Sequence, residues 1–136
     1  DIVPDHVPPD EATAVPGAPK RAVQPVAKIG SRILRSKPIH LDDFRFLSAL
    51  TTRVAKVTIP GPCALHFRGG DAAALATAYS DIDAYWNDIV AAFRAELIDL
   101  AAAGCEYVQI DETAFAKFGD PEVQAMLSAR GDDWRK

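Results

Sequence analysis

Two short β-rich segments are joined through a long stretch of helical periodicity. Residues 54–59 are rich in β-branched side chains and stop at Pro60, which predicts a strand. Residues 105–110 predict a second strand, which runs directly into Asp111, Glu112 and Thr113. Between them Ile82, Tyr85, Trp86, Ile89, Phe93, Leu97 and Leu100 recur at three- and four-residue steps, the mark of an amphipathic helix. Ser80 or Asp81 can cap its first turn, and Gly104 stands where a left-handed C-terminal cap belongs. Asn87, Asp88, Arg94 and Asp99 fall opposite that apolar stripe. Strands linked by a helical crossover pair in parallel.

Weaker signals extend the pattern. Residues 26–29 read as a strand closed by Gly30, and residues 41–51 carry Phe44, Leu47 and Leu50 at helical spacing behind Asp42 as cap. Residues 61–80 form a long connection, with a helical turn near residues 72–76. A last helix spans residues 121–129, with Asp120 as cap and Pro121 at its first position. The expected order is strand, helix, strand, helix, strand, helix: an α/β chain with about three parallel strands. A (β/α)8 (TIM) barrel needs about 250 residues, so 136 residues supply either part of one or a small open sheet.

Composition narrows the classes. With 49% hydrophobic and 25% charged residues, the chain can build a core. Its 15 basic and 19 acidic residues give a net charge of −4 and no basic stripe, which argues against nucleic acid as a partner. The most apolar run, residues 72–79, is far shorter than the roughly 20 residues a membrane span requires, so no membrane partner is expected. Cys63 and Cys105 match no metal-ligand spacing and read as reduced packing thiols in a cytoplasmic protein. Six of the ten prolines fall within residues 1–25, a loop-like lead-in that leaves residues 26–136 as the folded part. The only methionine is Met126, and the chain is expected to be a fragment of a longer protein.

In parallel α/β architectures, ligand groups come from the carboxyl ends of strands. Two such places carry chemistry. In the first, His66 can transfer a proton or polarise a substrate and Arg68 can clamp a carboxylate, or both are ordinary surface residues. Gly69 and Gly70 lack the lysine and serine of a phosphate loop and read as a tight turn. The second is Asp111 with Glu112. On an extended chain adjacent side chains alternate, so at most one of the two faces the sheet's functional end. Such an acid holds an ammonium group or acts as a base; its plain alternative is a turn or helix-capping role. His6 and His40 read as solvated, and the Tyr85, Trp86, Phe93 stripe as core.

These residues also carry a resemblance. Lys56-Val57-Thr58-Ile59-Pro60-Gly61-Pro62, then Leu65-His66-Phe67-Arg68-Gly69-Gly70, and after the helix with Tyr85-Trp86 the run Ala102-Ala103-Gly104-Cys105-Glu106-Tyr107-Val108-Gln109-Ile110-Asp111-Glu112-Thr113, resemble the cobalamin-independent methionine synthase family. Thr113, where the two-barrel enzymes show proline, is a trait of the shorter single-barrel relatives. The resemblance implies a (β/α)8 barrel of the C-terminal catalytic type. It would move a methyl group from methyltetrahydrofolate to the thiol of homocysteine, giving methionine. It also implies a zinc ion that activates the thiol by lowering its pKa. Asp111 matches the family's aspartate that holds the substrate amino group, while Glu112, His66 and Arg68 fall in matching motifs as further substrate-side candidates. The family's histidine-x-cysteine metal motif is not in this sequence, so the zinc ligands are expected outside this chain and the segment alone is expected to be inactive. Two other functions remain open: a non-catalytic α/β interaction module, and a related barrel enzyme alkylating a different thiol.

Overall fold

A computed structural model of the chain describes residues 2–3, 26–27, 29–67, 69–133 and 135. Its centre is a parallel pair of strands, β3 (Lys56–Pro60) and β4 (Tyr107–Asp111), with Lys56 opposite Tyr107 and Pro60 opposite Asp111. Chain order places β1 (Ile2–Val3), β2 (Val26–Ala27) and α1 (Leu41–Leu50) before this pair. Between its strands lie α2 (Cys63–Phe67), α3 (Gly70–Leu75) and the long α4 (Ile82–Ala102). A single turn, α5 (Ala114–Lys117), and a final helix, α6 (Pro121–Arg130), follow.

The ends of α4 are set by local chemistry. Asp81 accepts the Asp83 N–H at 3.1 Å, filling one of the donors that a helix start leaves unpaired. At the other end Gly104 adopts φ +90°, donates to Ala101 O at 3.0 Å and lets Cys105 N reach Leu100 O at 2.9 Å. That paired closure turns the chain straight into β4. The α6 boundaries also follow their signals: Asp120 accepts from Glu122 N and Pro121 opens the helix.

Because side chains alternate along each strand, the sheet has two unlike faces. Val57 and Ile59 lie buried with Phe44, Ala55, Leu100 and Cys105, and Phe93, Leu97 and Val108 pack against them. On the other face Lys56, Thr58, Pro60 and Tyr107 are exposed. A second cluster joins Ala74, Tyr79, Tyr85 and Ile89 under α3 and the first half of α4.

Three expectations change. The strand at residues 26–29 does not enter the parallel sheet: β2 pairs antiparallel with β1. The chain after it is drawn along α4 instead, by Arg32 on Asp88, Ile33 N on the Tyr79 hydroxyl at 2.6 Å, and Arg35 on Glu96 and Asp99. Asp88 and Asp99, opposite the apolar stripe, thus carry ion pairs. Asp42 lies inside the first turn of α1; the capping position is His40, with no side-chain cap bond. The 61–80 connection holds two short helices rather than one turn. Apart from β1, the proline-rich residues 1–25 lie outside the described residues. Among the described residues no helix is long and apolar enough to cross a membrane.

Candidate functional site

The carboxyl ends of β3 and β4 are tied together by the chain leaving β3, where Gly61 N donates to Asp111 O at 2.8 Å. Gly61 is buried, and a Cβ there would lie 2.8 Å from the Cα of Glu112. The approach is closer than any other residue permits without a backbone shift.

The two acids at this corner have different partners. Glu112 accepts from Cys63 N at 3.0 Å through Oε2 and from Ala114 N at 3.3 Å through Oε1. It thus holds the first turns of α2 and α5 at once. Asp111 belongs to the open face of the sheet and is half-buried there. Its Oδ1 accepts from Gln109 Nε2 at 2.5 Å, two residues back and hence on the same side of the strand. No hydrogen bond to Asp111 Oδ2 is formed among the described residues.

Burial pushes the Cys63 thiol up from its ordinary value, and the neighbouring Glu112 carboxylate adds to the shift. A thiol held protonated in this way is a poor nucleophile. Cys105 is buried, with Sγ 3.5 Å from Tyr107 O.

His66 sits apart from the acids. Its Nε2 lies 2.8 Å from Asp71 Oδ1, and its ring centroid stands 5.1 Å from Trp86 and 6.0 Å from Tyr85. Because a carboxylate only accepts, Nε2 carries the proton in this bond. The Tyr85 phenol beneath it is pushed up to about 12, chiefly by burial. The turn that brings Asp71 back to His66 depends on Gly70, at φ +61°. Arg130 braces this turn, bonding Phe67 O at 3.1 Å and Asp132. Arg68 lies outside the described residues.

The sequence candidates therefore form two groups, His66 with Asp71 over α4 and Asp111 with Gln109 on the sheet, with the Glu112 brace at residues 61–63 between them. No hydrogen bond joins His66 to Asp111 among the described residues. Sequence reasoning passed over Gln109, although its two-residue spacing from Asp111 was a usable signal. It also passed over Asp71, which only the turn between α2 and α3 brings to His66. Among the described residues no three His, Cys, Asp or Glu side chains are grouped to hold a metal.

Residues 12–129 match the sequence model of a family described as cobalamin-independent synthase, catalytic domain. The chain belongs to the cobalamin-independent synthase family. The matched region reaches back into residues 12–25, which the sequence motifs do not touch. The chain is also similar to the uncharacterized protein YxjH of Bacillus subtilis (strain 168), 31% identical over 94 residues, which cover 68% of this chain and 24% of that protein. The chain thus spans about a quarter of the length of this curated relative. No solved structure gives a significant match.

Proposed function

We propose that this chain is one section of a (β/α)8 methyltransferase barrel that transfers a methyl group from methyltetrahydrofolate to the thiol of homocysteine, and that Asp111 binds the ammonium group of the amino-acid substrate. Membership of the cobalamin-independent synthase family supports the class of reaction. The observation that carries the residue assignment is the Asp111 carboxylate. It sits at the carboxyl end of a parallel strand, half-buried, with one oxygen anchored by Gln109 and the other without a protein partner among the described residues. An anion so placed can accept charge-assisted hydrogen bonds from a primary ammonium.

Glu112 shapes the site rather than filling it, since both its oxygens are used by backbone N–H groups. His66, oriented by Asp71, and Arg68 are proposed as further groups on the substrate side. The described residues of this chain do not fit a zinc site: no three His, Cys, Asp or Glu side chains are grouped among them, Cys105 is buried and His66 is engaged with Asp71. The ligands of the family's zinc are assigned to parts of the barrel outside this chain.

The test is Asp111→Asn in the full-length protein, which keeps the side chain's size and removes its charge. The KM for L-homocysteine is expected to rise by about 10-fold or more, the scale of a lost hydrogen bond to a charged group. An unchanged KM overturns the assignment. Metal analysis of the same protein separates this reading from a non-catalytic module: about one zinc per barrel supports catalysis, and none supports the module.

A further inference from the structure

The open face of the sheet carries a line of polar side chains that leads to Asp111. Lys56 on β3 stands opposite Tyr107 on β4, with Nζ 5.7 Å from the tyrosine ring centroid. The same Nζ donates to Gln109 Oε1 at 3.0 Å. Gln109 in turn donates through Nε2 to Asp111 Oδ1 at 2.5 Å. We propose that Gln109 is a positioning residue for the Asp111 carboxylate, and that Lys56 fixes which end of the Gln109 amide faces it. This rests on the reading of Asp111 as the ammonium-binding group.

The argument follows from what each group can and cannot do. The terminal torsion of an aspartate is broad, so a carboxylate anchored at neither oxygen presents its lone pairs over a wide arc. One hydrogen bond to Oδ1 narrows that arc and still leaves Oδ2 and a second lone pair on Oδ1 for an incoming cation. A glutamine can supply that bond only in one of two nearly isosteric orientations. Flipped, it would set its oxygen against the carboxylate, acceptor against acceptor. Lys56 removes the ambiguity, because an ammonium has donors and no acceptor and so selects the amide oxygen. The order from Lys56 through Gln109 to Asp111 therefore has a single polarity.

The choice of a neutral residue next to Asp111 also matters. A lysine or arginine in the place of Gln109 would neutralise the carboxylate directly and compete with a substrate ammonium. The amide orients Asp111 without discharging it, and the lysine's charge is kept one residue further away. Tyr107, whose ring lies near Nζ, helps hold Lys56 in place by a cation–π contact. Lys56 and Asp111 are the titratable groups that hydrogen-bond Gln109 among the described residues.

The experiment uses steady-state kinetics of the full-length protein with methyltetrahydrofolate and L-homocysteine. Its comparison thiol is 4-mercaptobutanoate, which lacks the amino group. Gln109→Leu is expected to raise the homocysteine KM about 10-fold while kcat stays within about twofold, and to leave the KM for the deamino thiol unchanged. Lys56→Met should produce a smaller rise, about threefold on the same energy scale, and Lys56→Arg should restore the wild-type value. Gln109→Glu keeps the side chain's shape and sets a second carboxylate between Asp111 and the Lys56 ammonium, so that the two acids titrate as a coupled pair. Its homocysteine KM should therefore depend more steeply on pH than that of the wild type, a change that a packing role would not cause. A homocysteine KM for Gln109→Leu within about twofold of wild type, alongside a raised KM for Asp111→Asn, overturns the positioning role and spares the ammonium reading. Equal losses for both thiols, or a pH profile in Gln109→Glu that matches the wild type's, also overturn it. An unaffected Asp111→Asn overturns both readings.

Discussion

Glu96 lies within the long helix at 4% exposure, a buried charged residue. Burial by itself would push its carboxyl up, but the N–H groups of His40 and Ile39 and the Arg35 guanidinium outweigh that cost and hold it below the ordinary carboxylate range. Asp88 is held low in the same direction by hydrogen bonds from Arg32 and Tyr79. A carboxyl whose pKa falls on folding stabilises the fold above its unfolded value, about 4.3 for glutamate, and loses that contribution as the pH drops through the lower folded value. Acidification of the full-length protein below about pH 4 is therefore expected to release residues 29–40 from α4. Amide hydrogen exchange in that segment would show the release, and protection unchanged between neutral pH and pH 3, roughly a unit below the free glutamate value, would contradict it. Glu96→Ala leaves Arg35 Nε and the N–H groups of Ile39 and His40 without their acceptor while Arg35 keeps Asp99, and is expected to cost about 3 kcal/mol, the scale of leaving buried donors unsatisfied. A denaturation midpoint close to wild type would show the carboxylate to be dispensable.

Among the elements, the corner between β3 and α2 carries the most demand per residue. Gly61 hands its N–H to the end of β4, while Glu112, the residue directly after that strand, caps the helix that Gly61 leads into. A methyl group at position 61 meets the Glu112 backbone, which cannot swing aside as a flexible side chain would. Gly61→Ala is expected to destabilise the protein by about 1–3 kcal/mol, the usual cost of overpacking, and to raise the homocysteine KM by displacing Asp111. Thermal melting and kinetics of the variant check both, and wild-type values in each would mean that the corner has slack. The α4 to β4 junction shows the same economy, with Gly104 and two backbone bonds turning helix into strand in one step.

At the scale of the whole molecule, the apolar surface is incompletely covered. An open groove of about 440 Å³ runs along α4 beside Pro62 and Ile110, with Ile98 60% and Ile110 45% exposed on it. The parallel sheet has two strands, with no further strand on either edge among the described residues, whereas parallel sheets are ordinarily covered on both faces. The 136-residue chain in isolation is therefore expected to associate or to unfold without cooperativity, since open edges and apolar patches invite pairing. Sedimentation and calorimetry decide this: a monomer with a sharp two-state transition would show that the chain is self-sufficient.

Local order along the chain carried much of the architecture. The long helix, its Asp81 cap, the Gly104 closure, both central strands and the start of α6 depend on spacings of a few residues, which are readable without any partner. Asp111 and Glu112 were legible as a pair at a strand end. Their division of labour was not, because Glu112 is committed by N–H groups at residues 63 and 114, while Asp111 is oriented by Lys56, 55 residues away, through Gln109. The antiparallel course of β2, the docking of residues 29–40 on Glu96 and the meeting of His66 with Asp71 are likewise products of packing. Periodicity and capping are short-range and survive in the bare sequence, whereas the choice of partner for a charged side chain is made by whichever opposite group the folded chain brings within about 3 Å.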